Sequence, residues 1–147
     1  ARHIRNATPK YIQRTLPNAL FGFDAQKPEW TWTPVVEGVF DALSCGGISV
    51  LGNQINDFQA ELINSINTTV VVIPDQDRSG IKLIQTALDN DWHVAWPEWP
   101  IEVKDVNDAV LKYGKLFVLK HIWDTKTSGL AQICVRCKLK WGVKLHD

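Results

Sequence analysis

Val70-Val71-Val72-Ile73-Pro74-Asp75-Gln76-Asp77-Arg78-Ser79-Gly80 joins an apolar run to a pair of carboxylates, and the rest of the chain organises around that junction. Thr69 to Ile73 are five consecutive β-branched residues without polar alternation. Such a strand is buried on both faces, as in a parallel sheet covered by helices on either side. Pro74 ends it. Residues two apart in an extended segment point the same way, so Asp75 and Asp77 share one side. Ser79 caps the helix that follows, with Ile81, Ile84 and Leu88 directed inward. Its N-terminus offers backbone N–H groups to a phosphate.

Upstream, Pro34 to Glu37 reads as a short buried strand closed by Gly38. Val39 to Cys45 reads as a helix with Phe40 and Leu43 on one face, broken by Gly46-Gly47. Ile48 to Leu51 is a second strand, stopped by Gly52. Asn56 or Asp57 caps a helix to about Ile66, with Phe58, Leu62 and Ile66 as its buried stripe. Downstream, Trp92 to Trp96 is a fourth strand. Asp105 or Asn107 caps a helix through about Tyr113 that Gly114 ends, and Lys115 to Trp123 forms another. From Thr125 onward the chain is basic, amphipathic and helical. The fold class is therefore α/β: strands alternating with helices, a mainly parallel four-stranded sheet with helices on both faces, and a basic helical C-terminal extension. Residues 1–33, punctuated by Pro9, Pro17 and Pro28, are an extended or turn-rich approach whose Phe21-Gly22-Phe23 packs on the main body.

The 147 residues suffice for one compact domain, with the composition of an ordinary globule. No run has the length of a transmembrane helix and no signal-peptide pattern opens the chain, so a cytoplasmic location without membrane contact is expected. The chain starts at Ala1 and contains no Met, which reads as a fragment of a longer protein. Three cysteines (Cys45, Cys134 and Cys137) without a secretion signal are expected to be reduced thiols. Cys134-Val135-Arg136-Cys137 has zinc-like spacing, but no second Cys pair completes a site, and His121 and His146 are the only other candidates near it. The net charge of zero hides a segregation. Residues 1–28 hold five Lys/Arg against one Asp/Glu (+4), residues 29–111 three against thirteen (−10), and residues 112–147 eight against two (+6). An acidic centre between basic ends suits metal-assisted chemistry on a nucleic acid whose phosphates rest on the flanks.

Three acidic clusters follow apolar runs: Glu37 with Asp41, Asp75 with Asp77, and Lys104-Asp105-Val106-Asn107-Asp108. In an open α/β sheet, ligands bind at the carboxyl ends of strands. Carboxylates gathered there repel one another unless divalent cations neutralise them. Glu37 ends a buried strand, a costly place for an unpaired charge. Asp41 lies four residues later, where it can face the same space or simply favour a helix N-terminus. Asp105 and Asn107 are oxygen donors two apart, or a ligand and a cap. Lys104 either meets a phosphate or pairs with Asp105. The Asp-x-Asp segment has rival readings. A calcium loop fails because its twelfth position would be Thr86 in place of a bidentate Glu. A haloacid-dehalogenase-like phosphatase would use the first Asp as nucleophile and would not need Glu37. A plain Asp-capped loop is the structural alternative.

Taken together, the order of motifs resembles the toprim domain, shared by primases, topoisomerases and some nucleases. Glu37-Gly38-x-x-Asp41-Ala42-Leu43 looks like its glutamate motif and Asp75-x-Asp77 like its paired-aspartate motif, over about residues 34–111. Lys104-Asp105-x-Asn107-Asp108 resembles the third acidic motif of phage primases and primase-helicases; bacterial primases more often carry Asp where Asn107 stands. Lys10-Tyr11 and Leu20-Phe21-Gly22-Phe23 resemble the segment joining a primase's N-terminal subdomain to its toprim core, and Leu51-Gly52 with Gln59 fits the primase pattern too. The resemblance divides the chain into a remnant of that subdomain (1–33), a toprim catalytic domain (34–112) and a basic extension (113–147). It implies a DNA primase core that makes RNA primers from ribonucleoside triphosphates on a single-stranded DNA template, with a replicative helicase as partner and two Mg²⁺ (or Mn²⁺) ions. It implies Asp41, Asp75, Asp77 and Asp105 as ligands, Glu37 as ligand or acid–base group, and Glu37, Asp75 and Asp77 as the catalytic set. Arg78, Lys82, Lys104 and Asn107 are candidates for nucleotide or nucleic-acid contact. A phage origin would place the protein in the host cytoplasm. A toprim nuclease and a non-catalytic nucleic-acid-binding fragment are the alternatives. Among the seven tryptophans, Trp96, Trp99 and Trp141 are the ones expected to be exposed for base stacking.

Overall fold

The computed structural model describes residues 18–51, 54–143 and 145. Pro9, Lys10-Tyr11, Pro17, Gly52 and His146 lie outside them. The elements run β1 (Trp32–Val36), α1 (Val39–Cys45), β2 (Ile48–Ser49), α2 (Asp57–Ser65), β3 (Thr69–Val72), α3 (Ile81–Asp89), β4 (His93–Ala95), α4 (Val106–Tyr113), α5 (Lys115–Thr125), β5 (Lys126–Thr127) and α6 (Leu130–Trp141). A sheet of order β2-β1-β3-β4-β5 results. Its first four strands are parallel, as the β-branched run demands, and Val35 sits opposite both Ile48 and Val72. The fifth strand is an addition to the expected four. It runs antiparallel to β4, with Val94 opposite Thr127, and belongs to the basic C-terminal stretch.

Successive side chains of each strand fall into different cores. Val35, Val70, Val72 and Val94 pack with Ile63, Leu83, Ile84, Ile133 and Cys137 under α2, α3 and α6. Val36, Val71, Ile73 and Ala95 pack with Ala42, Val106, Ala109, Val118 and Ile122 under α1, α4 and α5. The sheet is thus covered on both faces. The C-terminal stretch contributes to both layers, through α5 on one side and α6 on the other. Phe21-Gly22-Phe23 does dock on the body: Phe21 bridges Ser49 in both directions at 3.0 Å, and Phe23 lies against the first core.

Several inward faces differ from expectation. On α1, Phe40 and Leu43 are exposed, while Asp41, Ala42 and Cys45 are buried. On α2, Phe58 is exposed and the buried residues are Gln59, Ala60 and Ile63. The capping box explains that rotation. Asn56 Oδ1 accepts the Gln59 N–H, Gln59 Oε1 accepts the Asn56 N–H, and the Gln59 amide donates to the Ala19 carbonyl at 3.0 Å. Gln59 is thereby pinned inward and the apolar stripe turns with it. On α3 the most deeply buried residues are Leu83, Ile84 and Ala87, with Ile81 and Leu88 only partly covered. Trp96 is buried, its indole N–H donating to Thr127 Oγ1 at 2.8 Å, and Trp99 and Trp141 are half-buried; Trp30 is the most exposed tryptophan described. Cys134 and Cys137 both lie on α6, the latter in the core. Among the described residues no helix is long and apolar enough to cross a membrane.

Candidate functional site

The chain order places the reversal of strand order between β1 and β3, since β2 flanks β1 on one side and β3 and β4 extend the sheet on the other. Doubly wound sheets bind ligands outside the carboxyl ends at that switch point. Glu37 follows β1 and Asp75 follows β3, so adjacent parallel strands deliver two acids to one place. They touch: the Asp75 N–H donates to Glu37 Oε1 at 3.3 Å. Asp41 arrives from the first turn of α1, and its Oδ1 accepts the Asn107 N–H at 2.8 Å. Asp105 is the N-cap of α4, with Oδ1 accepting the Asp108 N–H at 2.8 Å. Asp77 caps the short 3-10 turn Arg78–Gly80, its Oδ1 accepting the Ser79 N–H at 2.7 Å and the Ser79 hydroxyl. The loop therefore uses Asp77 as its cap, where the sequence pattern points to Ser79.

Two glycines sit against the site. A Cβ at Gly38 would stand 2.6 Å from Asp41 Oδ2, so a larger residue there would push the Asp41 carboxylate from its present place. A Cβ at Gly80 would meet the Pro74 ring at 2.7 Å and the Asp75 backbone at 3.3 Å. The tighter restriction is at Gly80, where the neighbours are a proline ring and backbone.

The electrostatics record the crowding. Asp75 is pushed up to about 7, first by burial and then by the charges of Glu37, Asp41, Asp77 and Asp105. Asp41 is raised to about 6 by burial, with Asp105 and Asp108 adding to it and the Asn107 N–H opposing. Glu37 is raised as well, chiefly by burial, against the Asp75 N–H. Three separate segments therefore bring mutually repelling carboxylates to one rim.

A cleft of about 550 Å³ opens beside them, lined by Asp75, Asp77, Trp99, Val103, Lys104 and Asp105 among others. Lys104 is exposed on its wall. Arg78 and Lys82 do not line it. The Arg78 guanidinium donates instead to the Trp141 carbonyl at the end of α6, at 3.3 Å, and Lys82 is exposed on α3. Asn107 is not the cap of α4; its Oδ1 accepts the Ser44 hydroxyl at 2.6 Å, which ties α4 to α1. Asp108 and Gln76 gain roles that sequence reasoning does not assign. Asp108 acts on Asp41 through space and receives the Lys104 N–H at 3.3 Å, and Gln76 lies in the loop between the paired acids. Only tertiary proximity marks either.

Among the described residues, no three His, Cys, Asp or Glu side chains stand close enough to hold a metal ion as placed. Glu37, Asp41, Asp77 and Asp105 each use one oxygen on a backbone N–H. The donor set nevertheless fits a hard divalent cation in kind: oxygens alone, partly desolvated, with a charge repulsion that a cation would relieve.

The sequence pattern of the toprim-like family matches residues 34–110, more than half of the 147-residue chain. The chain belongs to that family. Within it, the fold is that of DNA primase catalytic cores. The chain is similar to the Escherichia coli primase catalytic core (TM-score 0.64, 19% identity, 83% of this chain and 43% of that one). It is similar also to a DnaG catalytic core (TM-score 0.66, 21% identity, 91% and 48%) and to a DnaG primase catalytic domain bound to ssDNA (TM-score 0.63, 22% identity, 84% and 45%). The chain spans less than half the length of each. At these identities the likeness establishes the fold. No curated protein matches the sequence.

Proposed function

We propose that the chain is the metal-dependent catalytic part of a DNA primase, joining ribonucleotides into short RNA primers on single-stranded DNA. The observation that carries this reading is the convergence of Glu37, Asp41, Asp75 and Asp105 at the switch point, with Asp75 raised to about 7 by burial and its neighbours. The toprim-like family membership and the likeness to a primase domain bound to ssDNA support it.

Asp75, Asp77 and Asp105, with Asp41 beneath them, are the residues that would hold Mg²⁺ or Mn²⁺. When bound, such ions would stabilise the attacking and leaving oxygens of an in-line displacement at a nucleoside triphosphate. Glu37 sits against the Asp75 amide with a raised proton affinity, which suits a group that accepts and returns a proton. Lys104 on the cleft wall meets the triphosphate. Asn107 and Arg78 act through structure: one holds α4 against α1, the other closes the end of α6.

The test is a gel assay with labelled single-stranded DNA, ribonucleotides and Mg²⁺ or Mn²⁺, beside the Asp75→Ala/Asp77→Ala double variant. A ladder of short RNA that vanishes in the variant establishes the reading. Metal-dependent shortening of the DNA, lost in the variant, replaces it with a nuclease. Binding of DNA that survives in the variant, with neither reaction, replaces it with a binding module.

A further inference from the structure

The Asp75-Gln76-Asp77 loop is gripped at its middle residue. The last turn of α6 supplies the grip. Lys140 Nζ donates to Gln76 Oε1 at 2.7 Å, and the Trp141 indole N–H donates to the Gln76 carbonyl at 3.1 Å. The loop answers in kind, since the Arg78 guanidinium donates to the Trp141 carbonyl at 3.3 Å. That carbonyl is one of the acceptors a helix C-terminus leaves unpaired, and a cation there complements the helix dipole. The Trp141 ring is itself wedged against Trp96, centroids 5.9 Å apart. Lys140 is partly buried where it meets Gln76.

The geometry points to Lys140 and Trp141 as positioning residues for the paired aspartates. This inference rests on the metal-binding reading of the loop given above. Holding both the side chain and the carbonyl of Gln76 fixes the middle of the loop, and so restricts where Asp75 and Asp77 on either side of it can point. A free loop after Pro74 would lose that alignment, because Asp75 and Asp77 repel each other. The basic C-terminal stretch thereby acts at a distance along the chain, its final helical turn orienting two acids some 65 residues earlier. Partners that orient ligands from behind typically govern metal affinity by about 10–100-fold.

Three variants test this in the full chain. Trp141→Phe keeps the ring and removes the N–H, Lys140→Met keeps the stem and removes the ammonium, and Lys140→Arg keeps a donor. Mn²⁺ titration, read from the resonance of the free ion, is paired with amide exchange of Asp75 and Ser79 in metal-free buffer. The Lys140→Met/Trp141→Phe variant is expected to remain folded, to bind Mn²⁺ about tenfold more weakly, and to exchange both amides several-fold faster while β3 stays protected. Lys140→Arg alone is expected to keep most of the affinity. Unchanged exchange overturns the inference, and so does faster exchange with unchanged Mn²⁺ affinity. Should the unaltered chain bind no Mn²⁺, the metal reading falls by itself, and the exchange result alone then decides whether α6 holds the loop.

Discussion

Asp75-Gln76-Asp77 and Asp105-Val106-Asn107 are alike on paper: two oxygen-bearing side chains, two apart, just past an apolar run. In the folded chain they do different work. The first pair follows a central strand and keeps Asp75 among carboxylates in a partly buried place that raises it to about 7. The second pair lies across a helix start. Asp105 caps α4, Val106 is buried, and Asn107 spends its N–H on Asp41 and its side chain on Ser44. Both pairs spend one carboxylate on a cap, Asp77 on the Ser79 N–H and Asp105 on the Asp108 N–H, and they differ in the other member: an acid among carboxylates in one, an amide bonded to α1 in the other. The same spacing therefore puts two acids on the cleft in one place, and in the other one acid on that cleft and one amide that ties α4 to α1.

The largest contrast is expected in catalysis. Asp75→Ala/Asp77→Ala should abolish metal-dependent primer synthesis, a loss of at least about a thousandfold, with circular dichroism unchanged. Asn107→Ala should leave a measurable rate, since its side chain works through Ser44. Equal, complete losses from both would erase the distinction.

Next in size is a pH effect confined to the first pair. Asp75 binds its proton far more tightly in the folded chain, near pH 7, than an unfolded Asp does. Between about pH 4 and pH 7 the folded state therefore holds the extra proton, and stability in metal-free buffer falls as pH rises through that window. Above it the penalty is constant. Asp75→Asn should remove it, raising stability by roughly 1–2 kcal/mol at pH 8 once solvent screening is allowed for, and by nothing near pH 4. Thermal melts at the two pH values check the sign, and a stabilisation equal at both would show that charge is not its cause.

Asn107→Asp sharpens the comparison further. As a clasp, it places a new charge beside Asp41, which is already raised to about 6, and should lower the melting temperature at neutral pH without metal. As a ligand, it would instead strengthen Mn²⁺ binding, and a titration separates the two. The smallest effect is expected for Ser44→Ala, about 1 kcal/mol from one hydrogen bond in a partly buried place. Denaturant midpoints measure it, and a cost far above that would mean that the clasp also supports the acidic rim.

Much of the architecture is legible in the sequence, because it rests on local signals. The unalternating run Thr69 to Ile73 announces a strand covered on both sides, and the strand–helix alternation announces parallel pairing. The glycine after Glu37 leaves room for Asp41, whose Oδ2 lies 2.6 Å from where a Cβ would stand. What local signals do not carry is rotation about helix axes. Phe40 and Leu43 look like an inward face until Asp41 is seen bonded to α4, and Phe58 looks buried until Gln59 is seen bonded to Ala19. In each case a polar group needing a distant partner outweighs an apolar stripe, since an unpaired buried donor or acceptor costs more than an exposed phenyl ring loses.

The amino-acid order alone thus determined the strands, their parallel pairing and the delivery of acids to strand ends, because periodicity and side-chain branching act within a few residues. Only the tertiary structure decided which acids face the cleft, that Arg78 turns to α6 rather than to the cleft, that Asn107 is a clasp, and that Lys140 and Trp141 reach back to Gln76. Those assignments depend on contacts between residues some 60 positions apart, where no local pattern fixes the partner and the packing of α4 and α6 on opposite faces of the sheet does.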